Sequence, residues 1–236
     1  EGSLPEFVQK CVDNIKKNNP NYVVNFLTPN NVKEFCDIDY GRLKHATPQQ
    51  KADLIRFELI YQHGGIWLDA STIVYENLDW IERLVTQHQT NSFAYYRKKN
   101  TTCPDFPVLE NWLLASSAKN MFFKSWFEEL LKAIELTPKV YIQQIKENNE
   151  NYQDYFQEIG RLEYLVAYVA CQKIMRTTLP SMTLINCDRN AFFYQVKNKW
   201  MKEKVLIDLA LNYPPVEKPK LIKLCLLYTS PSPRDS

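Results

Sequence analysis

The sequence predicts an α/β protein, an open and mostly parallel sheet covered by helices. Three observations point there. Segments with apolar residues at helical spacing alternate with short runs rich in Val, Ile and aromatics. Turn residues separate these segments. One run, Ile66-Trp67-Leu68, is apolar throughout, the pattern of a strand buried on both faces.

Leu4, Phe7, Val8, Cys11, Val12 and Ile15 recur at helical spacing, and Asn18-Asn19-Pro20 stops that helix. Tyr22 to Leu27 is predicted as a strand, closed by Thr28-Pro29-Asn30 and followed by a short helix around Val32 to Cys36. At Thr47-Pro48-Gln49-Gln50 an N-cap Thr, a Pro in the first helical position and a Gln in the third announce a helix that runs to about Gln62. Gly64-Gly65 ends it, one of the two glycines taking the left-handed conformation of a helix C-terminus. The strand Ile66 to Asp69 comes next. Beyond it the expected elements are a helix at about 78–88, strands at about 92–96 and 108–114, helices at about 121–136 and 161–176, and a weak strand near 182–186. Glu147 to Asp154 is polar and Asn-rich and reads as a surface loop or helix break.

Composition narrows the function classes. The 29 Lys and Arg against 27 Asp and Glu give a formal charge of +2, so charge favours neither nucleic acid nor an anionic membrane as partner. The apolar stretch Tyr164 to Cys171 is far shorter than the ~18–20 residues of a spanning helix, and the chain opens without a signal-peptide pattern. Six scattered cysteines (Cys11, Cys36, Cys103, Cys171, Cys187, Cys225) contain no C-x-x-C pair, which argues against a zinc ribbon or a disulfide scaffold and for free, mostly buried thiols. Only five glycines occur, against a usual share of about 7%, so the Gly64-Gly65 pair calls for a reason.

The C-terminal stretch Cys225 to Asp235 resembles the translation of a transposase-based sequencing adapter and is set aside as a processing scar. Without it the charge stays at +2. The expected domain is then a single one over residues 1–224, truncated at both ends, with 225–236 as tail.

The chemistry-bearing stretch runs from Ala52 to Ser71. Asp53 and Arg56 stand three apart on one face of an otherwise apolar helix. Two such charges either pair with each other or face a polar ligand, and spacing leaves both open. Asp69 falls at the C-terminal end of a strand, where open α/β sheets place their ligand crevices, and equally fits a cap on an Asp-x-Ser-Thr turn. His45, His63 and His88 are isolated; His63, in the last turn of its helix, suits the dipole there. Asn111 and Trp112 read first as a capping Asn and a core Trp. Arg97-Lys98-Lys99 and the aromatic and Lys-rich Phe192 to Lys202 read as solvated surface.

In order and spacing, Ala52-Asp53-x-x-Arg56, Gly64-Gly65-Ile66-Trp67 and Leu68-Asp69-Ala70-Ser71 resemble the core signature of DXD-containing glycosyltransferases of the capsular-polysaccharide-synthesis and mannosyltransferase type, the glycosyltransferase family 32-like group. The resemblance extends more loosely over residues 4–180, including Leu4 to Tyr22 and Glu110-Asn111-Trp112-Leu113-Leu114-Ala115-Ser116. It implies a GT-A fold, a Rossmann-like nucleotide-binding domain. It also implies transfer of a hexose or related sugar, with retention, from a nucleotide-diphosphate-sugar to a glycan or lipid-linked glycan. Asp53, Arg56 and Gly65 would hold the nucleotide-sugar, Asp69 would act as the catalytic carboxylate and metal-shell residue, and Asn111 and Trp112 would line the acceptor side. Asp53, Arg56 and Asp69 are expected to share one donor.

Ser71 stands where the second Asp of the motif belongs. A hydroxyl is a weaker, neutral ligand, so binding of Mn²⁺ or Mg²⁺ by Asp69 and Ser71 is expected to weaken or to lean on the diphosphate. The rival expectation is a non-catalytic α/β module for sugar or protein on the same scaffold. The resemblance further implies work at the cytoplasmic membrane face with peripheral membrane contact as an option, the Golgi lumen being the alternative setting.

Overall fold

The computed structural model describes residues 5–43, 45–212, 215 and 218–224. It is a mixed α/β fold with a central sheet flanked by helices, as the alternating pattern predicts and in keeping with a GT-A-like architecture. The adapter-like Cys225 to Asp235, and Leu4 of the first helix, lie outside the described residues. The elements in chain order are α1 (Glu6–Asn18), α2 (Pro48–His63), β1 (Gly65–Leu68), β2 (Thr72–Val74), α3 (Asp79–Gln87), β3 (Ser92–Tyr96), β4 (Leu109–Ser116), α4 (Met121–Glu135), α5 (Pro138–Asn148), α6 (Gln153–Phe156), α7 (Val166–Met175), β5 (Met182–Asn186), α8 (Phe193–Lys197), α9 (Lys202–Leu211) and β6 (Leu221–Lys223). Short 3₁₀ turns lie at Val32–Glu34, Tyr40–Leu43, Lys98–Asn100 and Cys187–Arg189. The described residues gather into two compact units, one drawn from those up to Phe26, those of Leu68–Glu82 and those from Asn186 onward, and the other from Leu27–Trp67 and Arg83–Ile185.

The larger unit is built on a four-stranded sheet in the order β1-β4-β3-β5. Its central pair, β3 and β4, runs antiparallel, with Phe93 opposite Ala115 and a bulge between Ala94 and Tyr96. The Thr47 signal forms as a full capping box: the Gln50 N–H donates to Thr47 Oγ1 at 3.2 Å and the Thr47 N–H to Gln50 Oε1 at 2.9 Å. α2 buries Leu54, Phe57 and Ile60 against α4, where Phe57 stacks on Trp126 with ring centroids 4.1 Å apart. The Trp126 indole N–H donates to the Ala167 carbonyl at 2.8 Å, fastening α4 to α7. α7 is buried over nearly its whole length. It begins at Val166 rather than near 161, because Arg161 takes a positive φ of 34° that no helix continues.

β1 departs from the expected strand buried on both faces. Its residues are only half buried and Gly65 is exposed, because among the described residues β1 is an edge strand with a neighbour on one side alone. Both glycines before it have positive φ, 69° at Gly64 and 80° at Gly65. Gly64 is doubly constrained, since a Cβ there would stand 2.6 Å from the Ala118 backbone nitrogen.

In the smaller unit α1 buries Cys11, Val12 and Ile15. Its Asn-rich end acts as a strand substitute for β2: Asn14 Oδ1 accepts the Val74 N–H at 2.7 Å and Asn18 Nδ2 donates to the Val74 carbonyl at 3.1 Å. Asn19, itself buried, accepts the Leu78 N–H at 2.7 Å. β2 pairs antiparallel with β6 in the register Thr72 to Lys223, Ile73 to Ile222 and Val74 to Leu221.

Tyr22 to Leu27, expected as a strand, belongs to neither sheet. Its residues alternate in exposure, with Val23 88% exposed, but a β-type sequence without a partner edge forms no ladder. Phe192 to Lys202, expected as solvated surface, is partly core: Phe192, Tyr194 and Gln195 are buried, and Phe192 packs edge-on against Trp200 at 5.2 Å.

Candidate active site

In the larger unit the two charges of α2 meet. Arg56 Nη1 lies 3.2 Å from Asp53 Oδ1, both side chains being buried. β4 completes the group: Asn111 Nδ2 donates to Asp53 Oδ1 at 3.0 Å and Arg56 Nη1 donates to the Asn111 carbonyl at 2.8 Å. The guanidinium lies 5.3 Å from the Trp67 ring, a cation–π contact. One strand residue thus holds the acid by its side chain and the base by its backbone, so the helical charges are fixed against β4. Removing one partner of such a buried pair strands the other and typically costs about 3–5 kcal/mol.

Two residues to which the motif gave no role extend this network, through a 3.5 Å contact from the Tyr168 hydroxyl to Asn111 Oδ1. The Tyr168 hydroxyl, on α7, donates to Glu110 Oε2 at 2.8 Å, and Glu110 is itself buried. A carboxylate in a mostly apolar, buried strand is the signal that points to it. Trp112, next to Asn111, is fully buried and stacks on Tyr95 of β3 at 5.1 Å, so the pleat turns it towards the sheet core. Gly65 is exposed and a Cβ there would meet nothing within 4 Å, which leaves its backbone open to close approach. His63 donates from Nε2 to the Phe35 carbonyl at 2.7 Å and ties the end of α2 to the preceding loop.

In the smaller unit Asp69 and Ser71 meet a cation that sequence reading missed. Lys223 Nζ lies 2.9 Å from Asp69 Oδ2 and donates to Ser71 Oγ at 2.6 Å. Asp69 is about a quarter exposed, whereas Lys223 is buried. The lysine backbone is pinned as well: its N–H donates to the Ala191 carbonyl at 3.2 Å, its carbonyl accepts from Gln195 Nε2, and the next N–H, of Leu224, donates to the Ser71 carbonyl at 2.9 Å. A lone charge in the apolar run Leu221-Ile222-Lys223-Leu224 was the available signal, since such a residue needs an anionic partner.

These residues do not suit a divalent ion. The oxygens of Asp69 and Ser71 already hold an ammonium, and one carboxylate with a neutral hydroxyl is a sparse ligand set. Among the described residues no group of three His, Cys, Asp or Glu side chains is placed to hold a metal. The Lys223 ammonium already neutralises the Asp69 carboxylate, so little net negative charge is left there to attract a dication.

The model of the family described as "Capsular polysaccharide synthesis protein" matches residues 1–206. The chain belongs to that family. Within it, the match takes in Asp53, Arg56, Gly65, Asp69, Ser71, Asn111 and Trp112, while Lys223 lies beyond its end. The chain is 26% identical over 127 residues to glycosyltransferase afumC of Aspergillus fumigatus, which covers 48% of this chain and 32% of the relative. It is 25% identical over 145 residues to O-glycosyltransferase braB of Annulohypoxylon truncatum, covering 53% and 33% respectively. The chain thus matches about a third of the length of these curated relatives. No solved structure matches it significantly.

Proposed function

We propose that this family member is a glycosyltransferase that moves a sugar from a nucleotide-diphosphate-sugar to a glycan or lipid-linked glycan in capsular or surface polysaccharide assembly, with retention at the anomeric carbon. The observation that carries the reading is the family match over residues 1–206, supported by two relatives that are named glycosyltransferases. A further support is Asp69, a partly exposed carboxylate just beyond a strand end.

In the reaction, the bond from the anomeric carbon to the diphosphate oxygen breaks and a bond to the acceptor hydroxyl oxygen forms on the same face. The hydroxyl proton passes to the departing diphosphate. The sugar gains oxocarbenium character as negative charge builds on phosphate oxygens, so the chain must supply a carboxylate by the sugar and fixed positive charge by the phosphates. We assign Asp69 to the first task; in the larger unit, Asp53 and Asn111 hold the Arg56 guanidinium in place. The setting we favour is the cytoplasmic face of a membrane; no described helix is long and apolar enough to cross one.

Calorimetry with UDP- and GDP-sugars, followed by NMR of the product anomer, tests the proposal. Donor binding with slow donor hydrolysis is expected. Binding without turnover on any donor would return the chain to a non-catalytic sugar-binding module, and neither binding nor turnover would remove the reading.

A further inference from the structure

We infer that the Lys223 ammonium takes the place of a divalent ion at the Asp69-x-Ser71 motif, so that the nucleoside diphosphate is held by a cation built into the chain. The proposal deepens the glycosyltransferase reading and rests on it for the identity of the ligand.

Three features carry it. The first is position: Nζ sits between Asp69 Oδ2 and Ser71 Oγ, at 2.9 and 2.6 Å, which are the two side chains a motif-bound metal would use. The second is construction. Lys223 is buried on a three-residue strand whose register against Thr72 is fixed, and its backbone is held by Ala191 and Gln195, so its place does not depend on a flexible surface side chain. The third is the match between charge and hydroxyl. A second carboxylate at position 71 would overload one ammonium with two acids, whereas Ser71 accepts a hydrogen bond without adding charge. The serine that weakens a metal site therefore suits a lysine site. An ammonium has three donors, and among the described residues its side chain uses two, leaving one N–H for a phosphate oxygen.

The test is made on the whole chain with uridine and guanosine diphosphates and Mn²⁺ as probes. Titrated with Mn²⁺ alone, the protein should leave the free-ion EPR signal undiminished. In EDTA, binding of whichever diphosphate the protein takes should hold within about twofold of its value with Mn²⁺. Lys223→Met should weaken that binding by about 100-fold in EDTA, the size of effect expected when one preorganised donor to a phosphate charge is removed. Circular dichroism of the variant checks its fold. Uptake of one equivalent of Mn²⁺ by the unaltered protein, a diphosphate that binds only with metal, or a folded Lys223→Met that binds as tightly as the parent would each overturn the proposal. Failure of every nucleotide-sugar to turn over strikes the glycosyltransferase reading instead, and the Mn²⁺ titration is decided independently of it.

Discussion

At residue scale the glycines show how one letter of sequence carries two separate constraints. Gly64 and Gly65 both have positive φ, but only at Gly64 does a Cβ collide with backbone. Gly64→Ala should therefore cost on the order of 3 kcal/mol in urea denaturation, and Gly65→Ala only about 1 kcal/mol. Equal losses would mean that the close approach to Ala118 is not real. The charged pairs follow one rule. Asp53→Ala leaves the Arg56 guanidinium buried beside a carbonyl and should destabilise by about 3–5 kcal/mol, and Asp69→Asn, which takes the carboxylate from the buried Lys223 ammonium, should lose turnover together with part of the stability. Motif spacing told that Asp53 and Arg56 share a helical face. It left open whether they pair or face a ligand. They do pair, because Asn111 on a strand 55 to 58 residues away completes the geometry.

At the scale of elements, local chemistry was legible where a helix end announced itself and illegible where a strand needed a neighbour. The capping box at Thr47 formed as read, and Thr47→Ala should lower stability by about 1 kcal/mol through loss of the cap to Gln50. Tyr22 to Leu27 had the composition of a strand but found no edge, and β1 had the composition of a central strand but lies at an edge. α8 and α9 make a different case. Burial raises the Asp208 carboxyl, but hydrogen bonds from Lys197, Asn212 and Asn198, at 2.8, 2.8 and 2.7 Å, outweigh it and hold the group below its ordinary value. A lowered folded-state value gives stability that is present above the unfolded value of about 4 and is lost as pH falls through the folded one. Thermal melts between neutral pH and pH 3 should show that loss in the parent protein and a smaller one in Asp208→Asn; identical pH dependence would remove Asp208 as a cause.

For the whole molecule, the sequence predicted free and mostly buried thiols, and Cys11, Cys36, Cys171 and Cys187 are buried and unbridged, with Cys103 partly exposed. Burial pushes the Cys36 thiol up to about 11, with Glu58 and Asp37 adding to it, and pushes Cys171 well above the usual range. Ellman titration of the native protein should accordingly label Cys103 first among these five, with the other four following only on unfolding. Fast labelling of Cys171 in the native state would contradict the packing of α7. The smaller unit takes its strands and helices from three stretches of the chain, and Lys223 reaches Asp69 and Ser71 across about 150 residues of sequence. No window short enough to be read as a motif contains that contact.

By itself the sequence determined the α/β class, the helix that begins at Thr47, the glycine turn after it and the carboxylate at a strand end. All of these follow from local sterics, hydrogen-bonding capacity and apolar spacing. Tertiary structure alone decided which strands have neighbours, that Asn111 clamps Asp53 and Arg56, and that a buried ammonium stands between Asp69 and Ser71. Those outcomes depend on which distant groups share a low-dielectric space. Burial raises the cost of an unpaired charge, and only the folded chain can say where its partner comes from.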